Sequence, residues 1–269
     1  LEGGLTPSIY SDEGLEGVAD AARDIGRPAG VHLKLDTGMH RVGLWPPEEG
    51  PAFGRRILDA GLRVEGVWTH FADSELDDEG TLAQLARFRA AVEALAAAGV
   101  KPSIVHTANS GATIRFPQTH LDLVRPGAAV YGIDPGGGIA EPFDLRPALS
   151  WRSAVTMVTR LSAGERVSYG GRYALRRDAT IATVPVGYDD GYPRHAGAMA
   201  EVLIGGRRHP VAGTITMDQI LVDCGDAPVV PGDEVVLIGT QGAERISVEE
   251  LAEPLARLEA EPAPPGDSG

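Results

Sequence analysis

The chain has 269 residues, 43% hydrophobic and 23% charged, with 35 Gly, 20 Pro and a formal net charge of -14. That composition is globular, and the acidic balance argues against a general nucleic-acid binder. A single Cys, Cys224, excludes an internal disulfide framework and any cysteine-rich metal site. No apolar run approaches the roughly 18 residues of a membrane span. The start, Leu1-Glu2-Gly3-Gly4, has neither the basic nor the apolar part of a signal peptide, so a cytoplasmic protein is expected. Only two of the 24 basic residues are lysines, Lys34 and Lys101.

In chain order, Leu5 to Tyr10 reads as a short strand and Asp12 to Arg23 as a helix, with Leu15, Val18, Ala19 and Ala22 at helical spacing. Val31 to Leu35 is β-rich, Ala52 to Ala60 helical and Val64 to Phe71 strand-like. Thr81 to Ala98 is the strongest helix, with Leu82, Leu85, Phe88, Ala91, Val92 and Leu95 expected on one face, and Gly99 stops it. Ser103 to His106 and then Leu121 to Ile133 close this half. Strands spaced by amphipathic helices imply βα units on a parallel sheet. Asp134-Pro135-Gly136-Gly137-Gly138 marks a linker. Beyond it come Val155 to Arg160, Ala179 to Pro185, Glu201 to Ile204, Gln219 to Asp223 and Glu234 to Ile238. These are short β-rich runs, with Gly205-Gly206 as a hairpin turn. The expected organisation is a partial barrel over 1–134, a β domain over 135–258 and a Pro-rich tail over 259–269. A complete eight-unit βα barrel takes about 250 residues, so the first half holds about five units at most.

Several segments carry chemistry. Lys34 lies in a strand where an unpaired charge is costly. Asp36 shares its face parity and could pair with it, and Arg41 follows past the strand end, where α/β sites are built. A buried structural ion pair explains the same residues equally well. His70 ends the next strand, either as a structural or as a catalytic histidine. His106 to Gly111 and Leu123 to Ala129 combine Asn109, Ser110, Arg125, Gly127 and Ala128 after strands. Their turn amides and hydroxyl suit a phosphate, though an ordinary tight loop fits too. In the β half, Tyr169 and Tyr188 are flanked by glycines, and Met217-Asp218 ends a strand approach.

Taken together, the motifs KLDTGMHRVG, HTANSGATIRFP, VRPGAAVYGI, VSYGGRY, VPVGYDDGYPR and GTITMDQ resemble alanine racemase in order and spacing, from about Leu5 to Ala252. The family is a pyridoxal 5'-phosphate (PLP) enzyme with a TIM-like (β/α)8 barrel and a C-terminal β domain. It works as a head-to-tail homodimer that interconverts L- and D-alanine, supplying D-alanine for peptidoglycan. The resemblance implies that Lys34 is a carbamylated lysine orienting Arg41, which would hold the substrate carboxylate. Tyr169 would be the catalytic tyrosine and His70 its hydrogen-bond partner. Arg125 would face the PLP pyridine nitrogen, with Ser110, Gly127 and Ala128 at the phosphate and Asn109 beside them. Tyr188, Met217 and Asp218 would line the partner side of the substrate pocket. No metal is expected.

The match is incomplete. The family's PLP-binding lysine lies in a VKANAYGHG-like segment, and nothing here resembles it. The family's terminal YE-containing strand is also missing. The expectation is therefore a chain lacking the first barrel units and the C-terminal end, inactive alone. The alternatives are a non-catalytic binding remnant and a PLP racemase of broader specificity.

Overall fold

The computed structural model describes residues 3–253, with the backbone alone for Ala198. The Pro-rich stretch 259–269 lies outside the described residues. The chain divides into two compact units between Arg146 and Pro147.

The first unit is α/β. Its elements are β1 (Ser8–Ile9), α1 (Asp12–Ile25), β2 (Gly30–Lys34), α2 (Gly50–Asp59), β3 (Arg63–Trp68), α3 (Asp78–Ala97), β4 (Ile104–His106) and α4 (Ser110–Arg115). The strands form one parallel sheet in the order β1-β2-β3-β4, as successive βα units of a TIM-like barrel must. Past β4 the chain returns to the sheet edge at the bridge His106 to Leu123, with Asp122 N bonding Val105 O at 3.1 Å. Arg125-Pro126-Gly127 then leads into a 3-10 turn, Ala128–Tyr131, because Pro126 has no N–H to extend a ladder.

Helix starts follow the sequence. Ser11 caps α1, its Oγ accepting from Gly14 N at 3.2 Å, and Asp77 caps α3, its Oδ1 accepting from Gly80 N at 2.9 Å. Leu15, Ala19 and Ala22 of α1 and Phe53 and Ile57 of α2 pack on the sheet with Val31, Leu33 and Val67. The expected inner face of α3 needs one correction. Leu82 is exposed, and Thr81 and Gln84 point inward with Leu85, Phe88, Ala91 and Leu95. At about 100° per residue, Leu82 lies a quarter turn from Thr81 and off that stripe.

The second unit is antiparallel β, with β5 (Trp151–Ala154), β6 (Met157–Leu161), β7 (Arg166–Val167), β8 (Tyr173–Ala174), β9 (Ala179–Val184), β10 (Glu201–Ile204), β11 (Arg207–Pro210), β12 (Ile220–Gly225), β13 (Glu234–Gln241) and β14 (Glu244–Ile246). One sheet runs β11-β10-β13-β14 with β5 also on β13; a second runs β12-β9-β6, and β7 pairs with β8. Gly205 and Gly206, both at positive φ, turn the β10–β11 hairpin. The run expected from Val155 to Arg160 is β6, starting at Met157, and β5 just before it is an additional strand that the sequence reading lacks. Val155 N still bonds Asp233 O on the β13 side, whereas Thr156 N bonds Thr183 O on β9, so the chain changes sheets there. Val155, Val184, Val202, Ile220, Val222, Val235 and Leu237 fill the core between the sheets.

Candidate active site

Register brings the first unit's polar residues into one row. Lys34 pairs with Trp68 and Trp68 with His106 across three neighbouring strands. Side chains at matched positions of a parallel sheet share a face. Lys34 Nζ lies 4.6 Å from the Trp68 ring centroid, the His106 ring stacks on Trp68 at 5.6 Å, and Arg125 Cζ lies 4.6 Å from the same indole. Lys34 and His106 are buried. Burial, with the Arg41 and Arg125 guanidiniums, lowers the Lys34 pKa.

Asp36 does not pair with Lys34. It lies beyond the strand end, where its Oδ1 accepts Gly38 N at 2.9 Å and His40 N at 3.1 Å. The alternation that suggested a pair stops with the strand, and the carboxylate shapes the turn instead. That loop is tied back to β2 by Asp36 N to Leu44 O at 3.0 Å and Leu44 N to Lys34 O at 2.9 Å. Arg41 is presented from its exposed tip.

Arg125 is the centre of the arrangement. It has no carboxylate partner among the described residues. Its Nη1 lies 2.6 Å from His106 Nδ1, and its Nη2 donates to Thr69 O at 2.8 Å and Thr107 O at 3.0 Å, with His70 Nδ1 at 3.5 Å. Arginine can only donate, so His106 Nδ1 accepts and its Nε2 carries the proton, donated to His32 Nδ1 at 3.0 Å. Both His70 and His106 are pulled down to about 4, by burial first and then by Arg125. At pH 7 both are neutral. Burial brings Arg125 down to about 10, which leaves it charged.

Next to this cluster, Ser110 Oγ accepts Gly127 N at 2.8 Å and Ala129 N at 3.4 Å. Gly127 has open space where a Cβ would stand. Turn amides and a hydroxyl gathered in this way suit a phosphate. Ala128 opens the 3-10 turn beside them. Asn109 is already used: its Oδ1 caps α4 through Ala112 N at 2.9 Å and accepts Ser74 Oγ at 2.7 Å.

Three contributors were not singled out from sequence: Trp68, His32 and Gln84. Gln84 is buried; its Oε1 accepts Ala72 N at 2.9 Å, and its Nε2 reaches Thr37 Oγ1 at 3.2 Å and His70 O at 3.3 Å. It therefore ties the loop after β2 to the loop carrying His70. The available signal was a polar side chain on the buried stripe of an amphipathic helix.

In the second unit the expected residues gather around segment 213–218. Ser168 Oγ donates to Thr214 O at 2.6 Å, and Thr214 Oγ1 donates to Tyr169 O at 3.1 Å. Tyr188 N bonds Thr216 O at 3.1 Å and Asp189 N bonds Met217 O at 2.9 Å. A Cβ on Gly187 would stand 2.2 Å from Met217 O and 2.4 Å from Asp218 N, so only glycine allows this approach. Tyr169 is 72% exposed, Tyr188 41% and Met217 55%, all open to a ligand or another chain.

Family models match both units: alanine racemase, N-terminal domain, over residues 1–135, and alanine racemase, C-terminal domain, over residues 148–262. The chain belongs to the alanine racemase family. It is 49% identical over 258 residues to the alanine racemase of Symbiobacterium thermophilum, covering 94% of this chain and 67% of that one. Against the alanine racemase of Frankia casuarinae it is 46% identical over 240 residues, covering 84% and 60%. The chain thus spans 60 to 67% of the length of these curated relatives. Among solved structures, the alanine racemase of Streptomyces coelicolor A3(2) aligns with TM-score 0.89 and 38% identity, over 95% of this chain and 68% of that one. The Bacillus anthracis alanine racemase, solved with bound L-Ala-P, aligns with TM-score 0.87 and 35% identity over 95% and 66%.

Proposed function

We propose that this chain carries the substrate- and cofactor-facing residues of a PLP-dependent alanine racemase, interconverting L- and D-alanine in the cytoplasm for peptidoglycan. The observation that carries the reading is Arg125, a half-buried guanidinium without a carboxylate partner among the described residues, aimed by neutral acceptors on three sides. The donor set fits PLP in part. Arg125 suits the pyridine nitrogen, and Ser110 with the Gly127 to Ala129 turn suits the phosphate. When bound, PLP supplies the electron sink that removal of an amino acid's α-proton needs.

The chain's own residues do the rest. Arg125 stays protonated, so it donates and leaves its acceptor unprotonated, which favours racemisation over transamination. Arg41 holds the substrate carboxylate, assisted by the Met217 N–H. Tyr169 is the base on the L-alanine face; it needs help, because a free tyrosine has a pKa of about 10. His70, whose Nδ1 faces Arg125, would present Nε2–H to that tyrosine from a partner subunit. Lys34, with its lowered pKa, has a neutral amine fraction that can take up CO2, forming an N–C bond and releasing a proton. The resulting carbamate would orient Arg41. Tyr169, Tyr188, Met217 and Asp218 would come from the partner in a head-to-tail homodimer.

Neither lysine stands in the family's PLP-binding segment: Lys34 belongs to the row on β2, and Lys101 precedes β4. The 269 residues alone should therefore not racemise alanine, which also leaves room for a non-catalytic binding role. The test joins the lysine-bearing N-terminal segment of the Symbiobacterium thermophilum relative to this chain and follows D-alanine formation with PLP. Activity in the chimera and none in the shorter chain is expected. An inactive, folded, PLP-loaded chimera would overturn the racemase reading, and full activity in the shorter chain would overturn its dependence on that segment.

A further inference from the structure

On the second unit, an open cleft of about 540 Å³ is lined by Tyr173, Arg177, Arg207, His209, Asp223 and Gly225, among others. Across Tyr173, Arg177 and Asp223 it continues into a hollow of about 610 Å³ that adds Arg172 and Arg176. These volumes suit a small molecule. Three arginines of this unit find carboxylates: Arg152 pairs with Glu234, Arg160 with Asp226, and Arg208 with Glu201, Glu244 and Glu250. Arg172, Arg176, Arg177 and Arg207 form no ion pair among the described residues, in a chain of net charge -14.

The acids in the cleft are already engaged. Asp223 Oδ2 accepts the Tyr173 hydroxyl at 2.8 Å and its Oδ1 accepts Gly225 N at 2.9 Å, while Asp226 Oδ1 takes Arg160 at 2.7 Å. Strand alternation sorts the charges on β11. Arg208 faces its glutamates, and Arg207 shares the opposite face with His209. The Arg177 guanidinium lies against Gly225, where a Cβ would stand 2.7 Å from Nη2. His209, 6% exposed, sits in the wall of the cleft.

We propose that this cleft binds a phosphorylated small anion, gripped by Arg177 and Arg207 and enclosed by Arg172 and Arg176. Guanidinium forks match pairs of phosphoryl oxygens, and these four outnumber the two carboxylates, Asp223 and Asp226, that line the same cleft. A nucleic acid is disfavoured by the overall acidic charge. None of these residues belongs to the racemisation chemistry, so the site stands whether or not that reading does.

The test titrates the full chain with pyrophosphate, orthophosphate and glycerol 2-phosphate by calorimetry, against sulfate and chloride at matched ionic strength. Saturable binding of a phosphoryl compound is expected. Pyrophosphate as the tightest ligand would indicate a diphosphate, and glycerol 2-phosphate a monoester. Arg177→Gln with Arg207→Gln should weaken binding at least tenfold, about 1.4 kcal/mol, whereas Arg152→Gln outside the cleft should not. Should the double variant fail to fold, Arg177→Lys, which keeps the charge and loses the fork, must still weaken binding. A ring-nitrogen shift of His209 on titration places the ligand in the cleft. Equal binding by the folded arginine variants, or a response that sulfate and chloride reproduce, would overturn the proposal.

Discussion

Arg125 in the first unit and Arg208 in the second are both multiply hydrogen-bonded arginines, and their surroundings are opposite. Arg208 is ringed by Glu201, Glu244 and Glu250, and these carboxylates raise its pKa. Arg125 sees carbonyls and two neutral imidazoles, and burial lowers its pKa. A cation compensated within the fold is spent on stability. A half-buried cation left uncompensated stores an interaction that a ligand can complete.

The sharpest way to break this comparison is Arg125→Met in the lysine-restored chimera. Racemisation should fall by about 100-fold or more, the scale of losing a charge-stabilising donor at a reacting centre, as read from D-alanine formation. Arg125→Met should also release His70 and His106 from a neighbouring cation, so NMR should find both titrating closer to the ordinary histidine value.

Acid is the next lever. Both histidines have folded pKa values of about 4 against 6.5 unfolded, so the unfolded chain binds more protons between those values. Their contribution to stability is complete above pH 6.5 and is lost as pH falls towards 4. Denaturant melts across that window should show the loss, and His106→Gln should flatten the slope.

Gln84→Leu leaves Ala72 N without its acceptor and frees two loops, which should cost about 1–3 kcal/mol by chemical denaturation. In the chimera it should lower kcat as well, through misplacement of His70. Replacing Arg208 by Met should have the smallest effect, about 1 kcal/mol for a partly exposed pair network. The deficit should narrow in acid, where carboxylates take up protons below about pH 4, and PLP chemistry should be unaffected.

Much of this was legible before any coordinates. Strand and helix order followed from apolar spacing, and the candidate residues lay in six recognisable motifs. What failed did so for local reasons. Leu82 was placed inward by its hydrophobicity, although helical rotation gave that position to Thr81 and Gln84. The face parity by which Asp36 could pair with Lys34 ends with β2. β5 escapes the sequence reading because Arg152-Ser153-Ala154 lacks the β-branched pattern of the run that follows. The row from Lys34 to His106 depends on register across three strands, which no single segment encodes.

One loop constraint reaches beyond mechanism. Gly43 has φ +139, and a Cβ there would stand 2.8 Å from Asp36 N. In a saturation library across 36–44, position 43 should therefore fall silent for nearly every replacement, while the neighbouring Val42, 43% exposed, accepts many. Anyone redesigning the reach of Arg41 has the tip of this loop to vary, and its neck to leave alone.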